Sequence, residues 1–515
     1  MLPGLYGYTS LLDAYTSTYY DVDMWRTCSC QALIKHLNRI YSYMLIMAKQ
    51  GLRFYAKTKQ LTLTDAYMDK AVFIKNYGCS SNTADTEVMA GCLAHAGFQL
   101  AENEAQADLL IYNTCAVKGP TENRVLNDVK TSPTGKKVIV AGCLPKISYE
   151  RLCREAHFDG VVGPAWGSDI VAVATRVLAG EKVIALDSPK EMPALSLPRQ
   201  TSNPAVSVVP INFGCLGSCA YCCVVFARGK LRSYKISEII ERIQADYEAG
   251  AREFWLTSQD TASYGRDLQT NLAELLLAVG GTIGDFRVRV GMMTPNLILD
   301  MSERLLCAYG SSKVFKFLHL PVQSGDDEVL KGMRRFYTAT QFKEIVEAFR
   351  AEFPDLTLAT DVIVGYPGET EEAFQNTLRL MEEVKPDVTN VSKFFARPKT
   401  TAWEMKDELV DKEETKRRSA VAAELAKKIS AESNRRWVGW TGELLIDEKG
   451  KVPSSLVGRN FAYKPIVVNS AEHLLGKTRR VRVVEALGTY LKGELVDEEE
   501  EEGKVWAAKP HSNSG

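Results

Sequence analysis

Residues 214–234 read GCLGSCAYCCVVFARGKLRSY, which sets Cys215, Cys219 and Cys222 at a C-x3-C-x2-C spacing, with Cys223 directly beside the last. Structural zinc asks for four ligands, usually as two paired C-x2-C knuckles, and no second pair follows. Three thiolates in one loop suit an iron–sulfur cluster in which one iron has no protein ligand and stays open to a small molecule. In an extended segment, the residue next to Cys222 turns its side chain the other way, so Cys223 reads as a small core hydrophobe.

This loop follows the strand-like SVVPINF, and what comes after it fixes the architecture. Residues 205 to 400 repeat a strand-then-helix rhythm: SEIIERIQADYEAG, EFWLTSQD, NLAELLLAVG, FRVRVGMM, FKFLHLPVQS, TATQFKEIVEAFRAEF, LTLATDVIVGYPG, EEAFQNTLRLMEEV and VTNVSKFFARP. That makes about six units, short of the eight that close a barrel, so a partial (β/α)6 barrel is expected, with the cysteine loop at the end where functional groups project. Upstream, AVFIKNYG, ADLLIYNTC and KKVIVAGC alternate with helical stretches, which implies a parallel Rossmann-like sheet flanked by helices. Cys79, Cys115 and Cys143 each stand directly after one of those strands, so all three emerge at the same carboxyl edge. Cys92, Cys153 and Cys307 lack that placement; the first two fall within helices and Cys307 reads as core. Downstream, GELLIDEKG, AYKPIVV and RRVRVVEAL read as a small antiparallel β-barrel.

The fold class is therefore α/β with a small β-barrel at the C-terminal end. The expected divisions are an N-terminal domain at 68–185, a linker around DSPKEMPALSLPRQTSNP, a central domain at 204–435, a terminal barrel at 436–497 and an acidic tail at 498–515. Residues 1–67 hold nine of the 21 tyrosines and no glutamate. They read as an upstream extension, with a misplaced start codon preferred over a disordered leader or a basic amphipathic segment; Cys28 and Cys30 fall in it and are given no chemistry. Twelve cysteines without a secretory leader argue for metal-binding thiols over a disulfide scaffold. No apolar run approaches the roughly 18 residues of a membrane helix, and the formal charge of −1 decides nothing about nucleic acid.

The cysteine motif together with FARGKLRSY, LTSQDTASYGRD, RVGMMTPN, FLHLPVQSGDDEVLKGMRR and TDVIVGYPGET resembles the radical S-adenosylmethionine methylthiotransferases, over residues 70 to 495. The resemblance implies two 4Fe-4S clusters. One on Cys215, Cys219 and Cys222 chelates S-adenosylmethionine and splits its carbon–sulfur bond to give a 5'-deoxyadenosyl radical. The other, on Cys79, Cys115 and Cys143, carries the sulfur to be inserted, and the two trios are expected to face one another. A second S-adenosylmethionine provides the methyl group, and no side chain is assigned as acid or base. Cofactor contacts are expected from Ser258, Gln259 and Asp260 at a strand end, and from Arg228 and Gln323. Asp260 fits a helix cap as well, Gly365 and Gly368 fit an ordinary turn as well as a close approach to ligand, and His319 fits either the barrel mouth or the core.

The terminal unit resembles the TRAM domain, a barrel associated with RNA binding, which makes Arg459, Phe461, Tyr463 and Lys464 the RNA-facing candidates. The wording NTCAVKGPTENRV, QDTASYG and ARGKLRSY is closest to the archaeal and eukaryotic subgroup that acts on N6-threonylcarbamoyladenosine at tRNA position 37. The implied product is its 2-methylthio derivative, and the implied partners are the tRNA anticodon loop, an electron donor and a sulfur source. Val224, the Ser233-Tyr234 ending and Lys399 depart from the usual family wording and touch neither trio. With no membrane tail in view, an archaeal cytoplasmic enzyme is expected. Isopentenyladenosine in tRNA and an aspartate of a ribosomal protein are the competing acceptors, and an RNA-binding protein with structural clusters is the competing class.

Overall fold

A computed structural model describes residues 69–117, 119–187 and 191–496. The expectations for residues 1–67, with Cys28 and Cys30, and for the tail at 498–515 lie outside the described residues.

Six parallel strands form the first sheet: β1 (Ala71–Asn76), β2 (Gln99–Leu100), β3 (Leu109–Thr114), β4 (Lys137–Gly142), β5 (Gly160–Val162) and β6 (Val183–Ala185), in the spatial order β2-β1-β3-β4-β5-β6. Every residue of β3, LLIYNT, is buried, as a strand covered on both faces requires. Its side chains alternate: Leu109 and Ile111 join one apolar layer, Leu110 and Tyr112 the other. Helix α1 begins at Ser80, directly after Cys79, and runs to His95, starting five residues ahead of Asp85, where the helical stretch DTEVMAGCLAHAG begins. Its first two turns are largely polar yet buried, with Ser81, Asn82 and Asp85 enclosed. Those groups face another part of the protein rather than water, which periodicity does not reveal.

The central strands are β7 (Val206–Pro210), β8 (Glu253–Thr257), β9 (Arg287–Val290), β10 (Phe317–His319), β11 (Thr357–Val364) and β12 (Val388–Lys393). They form two parallel triplets, β9-β8-β7 and β10-β11-β12, joined by a parallel bridge between Val288 and Val314. This is the open six-unit barrel that the strand–helix rhythm implied. Phe254 and Leu256 of β8 point outward into the layer filled by Leu275 and Leu276 of the covering helix, so Glu253 and Trp255 face the other way. On the helix Ser302–Tyr309, Leu305, Ala308 and Tyr309 are buried. Cys307, expected in the core, instead lies on the exposed face of that helix, because it falls between those positions in the helical period.

The last domain is a closed barrel of β13 (Thr441–Lys449), β14 (Ser455–Arg459), β15 (Pro465–Asn469), β16 (Thr478–Ala486) and β17 (Leu491–Leu495). Its pairs are antiparallel except β15 with β17, which run parallel to complete the closure.

This barrel plugs the amino-terminal end of the central one, and the plug overturns three of the four RNA-facing expectations. The Tyr463 ring packs 4.9 and 5.0 Å from those of Phe315 and Phe317, and its hydroxyl donates to Glu253 Oε1 at 3.1 Å. Arg459 is held by Asp447 at 3.1 Å and lies over the Tyr463 ring. Lys464, 3% exposed, donates to Asp387 at 2.8 Å and Asn434 at 3.1 Å. Burying a lysine without its carboxylate would cost several kcal/mol, on the order of 3–5, so Lys464 and Tyr463 are consumed in joining the two domains, and Arg459 in an ion pair within the terminal barrel beside that seam. Phe461 alone stays at the surface, 41% exposed, beside Trp437 and Trp440.

Candidate functional site

Three neighbouring strands, β1, β3 and β4, deliver Cys79, Cys115 and Cys143 to one sheet edge. Gly142 makes the last delivery possible. It sits at φ 92°, and a Cβ there would fall 2.5 Å from the Thr114 carbonyl oxygen, so no L-residue with a side chain fits. Cys79 is exposed, Cys115 half-buried and Cys143 buried. Burial pushes the Cys143 thiol up to about 12, opposed by the nearby Arg228 guanidinium, and Cys115 and Cys79 lie close enough to raise it further. The Cys115 sulfur accepts the Val117 N–H at 3.4 Å. An amide network stiffens the edge: Asn113 Nδ2 donates to the Asn82 carbonyl and Asn82 Nδ2 to the Thr114 carbonyl, both at 2.9 Å.

The second trio stands in the loop after β7. Gly214 enters that loop at φ 73°, where a Cβ would meet the Lys230 carbonyl oxygen at 2.1 Å. The Gly217 N–H donates to the Cys215 sulfur at 3.2 Å, and Arg335 Nη1 to the Cys219 sulfur at 3.3 Å. Burial raises the Cys222 thiol, and the neighbouring Cys219 adds to the effect. All three cysteines line a cavity of ≈ 550 Å³, together with Phe226, Lys230, Arg334 and Lys399.

The two trios are tied through α2 (Val224–Arg228), which leaves the second loop directly after Cys222 and Cys223. Cys223 turns away from the cavity, contacts the Ala116 carbonyl at 3.5 Å and packs with Cys143, as a small core side chain. At the other end of the helix, Arg228 reaches the first trio, pairs with Asp85 at 2.7 Å and donates to Asn82 Oδ1 at 3.1 Å. Arg228 was expected on the cofactor of the second trio. It is instead locked at the domain junction, because the short helix carries it past the cavity wall. Across the same junction, Ser80 Oγ meets Thr257 Oγ1 at 2.5 Å, and Gln259 Nε2 donates to Ser81 at 3.1 Å. The Cys79 loop is thereby seated on the carboxyl end of β8. The cavity itself is lined by the second trio and does not include Cys79, Cys115 or Cys143.

Of the remaining expected contacts, Ser258 accepts the Asp260 N–H, and Asp260 Oδ1 accepts from the backbone of Ala262 and Thr294, each at 3.1 Å. The cap is thus the role that the Asp260 carboxylate visibly performs. Gln259 keeps one buried oxygen without a partner, and Gln323 sits buried after β10 at φ 70°. His319 contacts Asp361 at 3.3 Å, which also accepts from Asn390 at 2.7 Å. Gly365 donates to Glu369, which is paired with Arg418. Arg335 lies in the quoted stretch FLHLPVQSGDDEVLKGMRR but was given no role there, and Tyr337 stands just beyond it.

The donor set fits an iron–sulfur cluster on each trio. Each offers thiols with no imidazole or carboxylate among them, and each has a backbone N–H aimed at a sulfur, the kind of bond that favours thiolate. Among the described residues, no three His, Cys, Asp or Glu side chains converge on a point that would hold a single ion, whereas a cluster takes its ligands on separate irons. Arg228 Nη1 is a buried donor without a partner, beside sulfurs that a cluster would make anionic.

Three family models match the chain: the Radical SAM superfamily over residues 209–381, the uncharacterized protein family UPF0004 over 71–163, and the TRAM domain over 435–496. A Pyrococcus horikoshii protein described as a probable threonylcarbamoyladenosine tRNA methylthiotransferase is 40% identical over 430 residues, which cover 82% of this chain and 99% of that protein. A Methanothermobacter thermautotrophicus protein of the same description is 41% identical, covering 82% and 98%. The human threonylcarbamoyladenosine tRNA methylthiotransferase is 34% identical over 83% of this chain and 74% of its own length.

Proposed function

The chain belongs to the threonylcarbamoyladenosine tRNA methylthiotransferase family, and on that footing we propose that it places a methylthio group on C2 of N6-threonylcarbamoyladenosine at position 37 of tRNA. The observation that carries the reading is the seating of the Cys79 loop on the end of β8, which brings two thiol trios to one end of a radical SAM barrel. Cys215, Cys219 and Cys222 hold one cluster and Cys79, Cys115 and Cys143 the other. When bound, the first with S-adenosylmethionine supplies one-electron cleavage of a carbon–sulfur bond, and the second supplies sulfur.

The protein's own part is to position and enclose these groups. Gly214 and Gly142 set the entry of each loop, and Asp85 fixes Arg228 beside the first trio. Tyr463 and Glu253 stop the far end of the barrel, so substrate approaches from the cysteine end. Ser258, Gln259 and Gln323 remain candidates for holding S-adenosylmethionine, the unpartnered Gln259 oxygen being the most pointed of them. For tRNA, Phe461 offers a stacking ring, and the exposed Lys477, Arg480 and Arg482 edge of the terminal barrel suits phosphate. No described helix is long and apolar enough to cross a membrane.

Nucleoside analysis of tRNA tests the reading. Deleting the gene should abolish the 2-methylthio derivative of threonylcarbamoyladenosine and leave its precursor in place. An unchanged level of that derivative, or loss of a methylthiolated isopentenyladenosine instead, would overturn the acceptor.

A further inference from the structure

Four arginines in the described residues are buried as whole residues: Arg228, Arg335, Arg397 and Arg418. Three have a carboxylate within ion-pair distance, Arg228 with Asp85, Arg397 with Glu122 and Arg418 with Glu369. Arg335 has none. Its guanidinium donates from Nη1 to the Cys219 sulfur at 3.3 Å, from Nε to the Tyr337 hydroxyl at 3.1 Å, and from Nη2 to the Pro321 carbonyl at 3.5 Å. Asp260 feels its charge but stands beyond ion-pair reach.

Guanidinium does not lose its proton in a protein, and a buried charge needs an opposite one nearby. The other three buried arginines meet that requirement with carboxylates. We infer that Arg335 is a positioning residue for the Cys215, Cys219 and Cys222 site, a fixed positive charge whose counterion is the anionic cluster-thiolate set itself. The inference rests on the reading of that trio as a cluster site.

The two trios then differ in kind. Arg228 beside the first is neutralised by Asp85 before any cluster binds, whereas the Arg335 charge is left for the second. Hydrogen bonds to sulfur and net local charge both set a cluster's potential. Reduction adds one negative charge, so Arg335 favours the reduced state at the second trio, and Arg228 does so far less at the first.

The test uses the full chain carrying Cys79→Ala, Cys115→Ala and Cys143→Ala, reconstituted anaerobically with iron and sulfide so that only the second trio can hold a cluster. If this protein takes up no iron, the cluster reading fails before Arg335 is touched. Given uptake, Arg335→Gln should shift the midpoint in an electron paramagnetic resonance redox titration to more negative potential, and Arg335→Lys, which keeps the charge, should shift it less. Loss of iron uptake in Arg335→Gln alone, with an unchanged melting temperature, also supports the assignment. Equal midpoints in all three proteins overturn it. Equal loss of uptake in both variants overturns it too, since that outcome marks a packing role for the Tyr337 and Pro321 bonds.

Discussion

The two ends of the central barrel are built from similar side chains put to opposite uses. At the carboxyl end, Ser80, Ser81, Gln259 and the Arg228–Asp85 pair dock the first domain beside six cysteines. At the amino end, Tyr463 and the Lys464–Asp387 pair dock the terminal barrel. A buried arginine or lysine with a carboxylate partner serves as mortar at both ends. Both ends also hold buried polar atoms without a bond, Arg228 Nη1 and Gln259 Oε1 at one, Glu253 Oε2 and Asp447 Oδ1 at the other; what separates the working end is therefore a wholly buried guanidinium with no carboxylate, that of Arg335.

The largest effects should fall on the cysteine end. Cys219→Ala should lower both S-adenosylmethionine cleavage and product by at least roughly 100-fold, since even outer-shell changes at metal sites cost 10 to 100. Cys143→Ala should spare cleavage while abolishing methylthiolated product. Chromatography of cleaved cofactor and of tRNA nucleosides separates the two, and a Cys143→Ala protein that still methylthiolates would erase the distinction between the trios.

The docking pairs come next. Asp85→Asn leaves Arg228 buried and unpaired, and Asp387→Asn does the same to Lys464, so each should cost about 3–5 kcal/mol in urea denaturation. Only Asp85→Asn should also reduce iron uptake by the first trio. If Asp387→Asn reduced it equally, the two ends would not be separable as argued. Gly142→Ala should cost less, about 1–3 kcal/mol for the forced backbone, and should show its effect as lost iron at the first trio while the second still loads.

The most gradual effect is a pH dependence of the sealed end. Burial, with Asp447 adding to it, pushes the Glu253 carboxyl up to about 8 from an ordinary 4.5. Between those values the folded chain keeps a proton that the unfolded chain releases. Stability should therefore fall as pH rises through this window, by at most about 1.4 kcal/mol per pH unit, and level off above it. Urea midpoints at pH 5, 6, 7 and 8 read the slope, and Glu253→Gln should flatten it; an equal slope in that variant would assign the dependence elsewhere.

The sequence by itself carried the parallel sheet, the six strand–helix units and the placing of Cys79, Cys115 and Cys143 after strands. Apolar periodicity and strand-end position are local properties, and parallel strands share one direction. It also separated Cys223 from its neighbour, although the backbone there is not extended as expected but turns into the helix, with Cys223 at φ −91° and ψ 2°. What only the tertiary structure decided was the fate of charged and aromatic side chains. Nothing local distinguishes Arg459, Tyr463 and Lys464 at a domain seam from the same residues on a nucleic-acid surface. Nor does RRFY disclose that Arg335 is buried against a sulfur while Phe336 beside it is 70% exposed. A charge acquires its role from what lies within a few ångströms of it, and here those partners come from residues as far apart as Asp85 and Arg228, or Cys219 and Arg335.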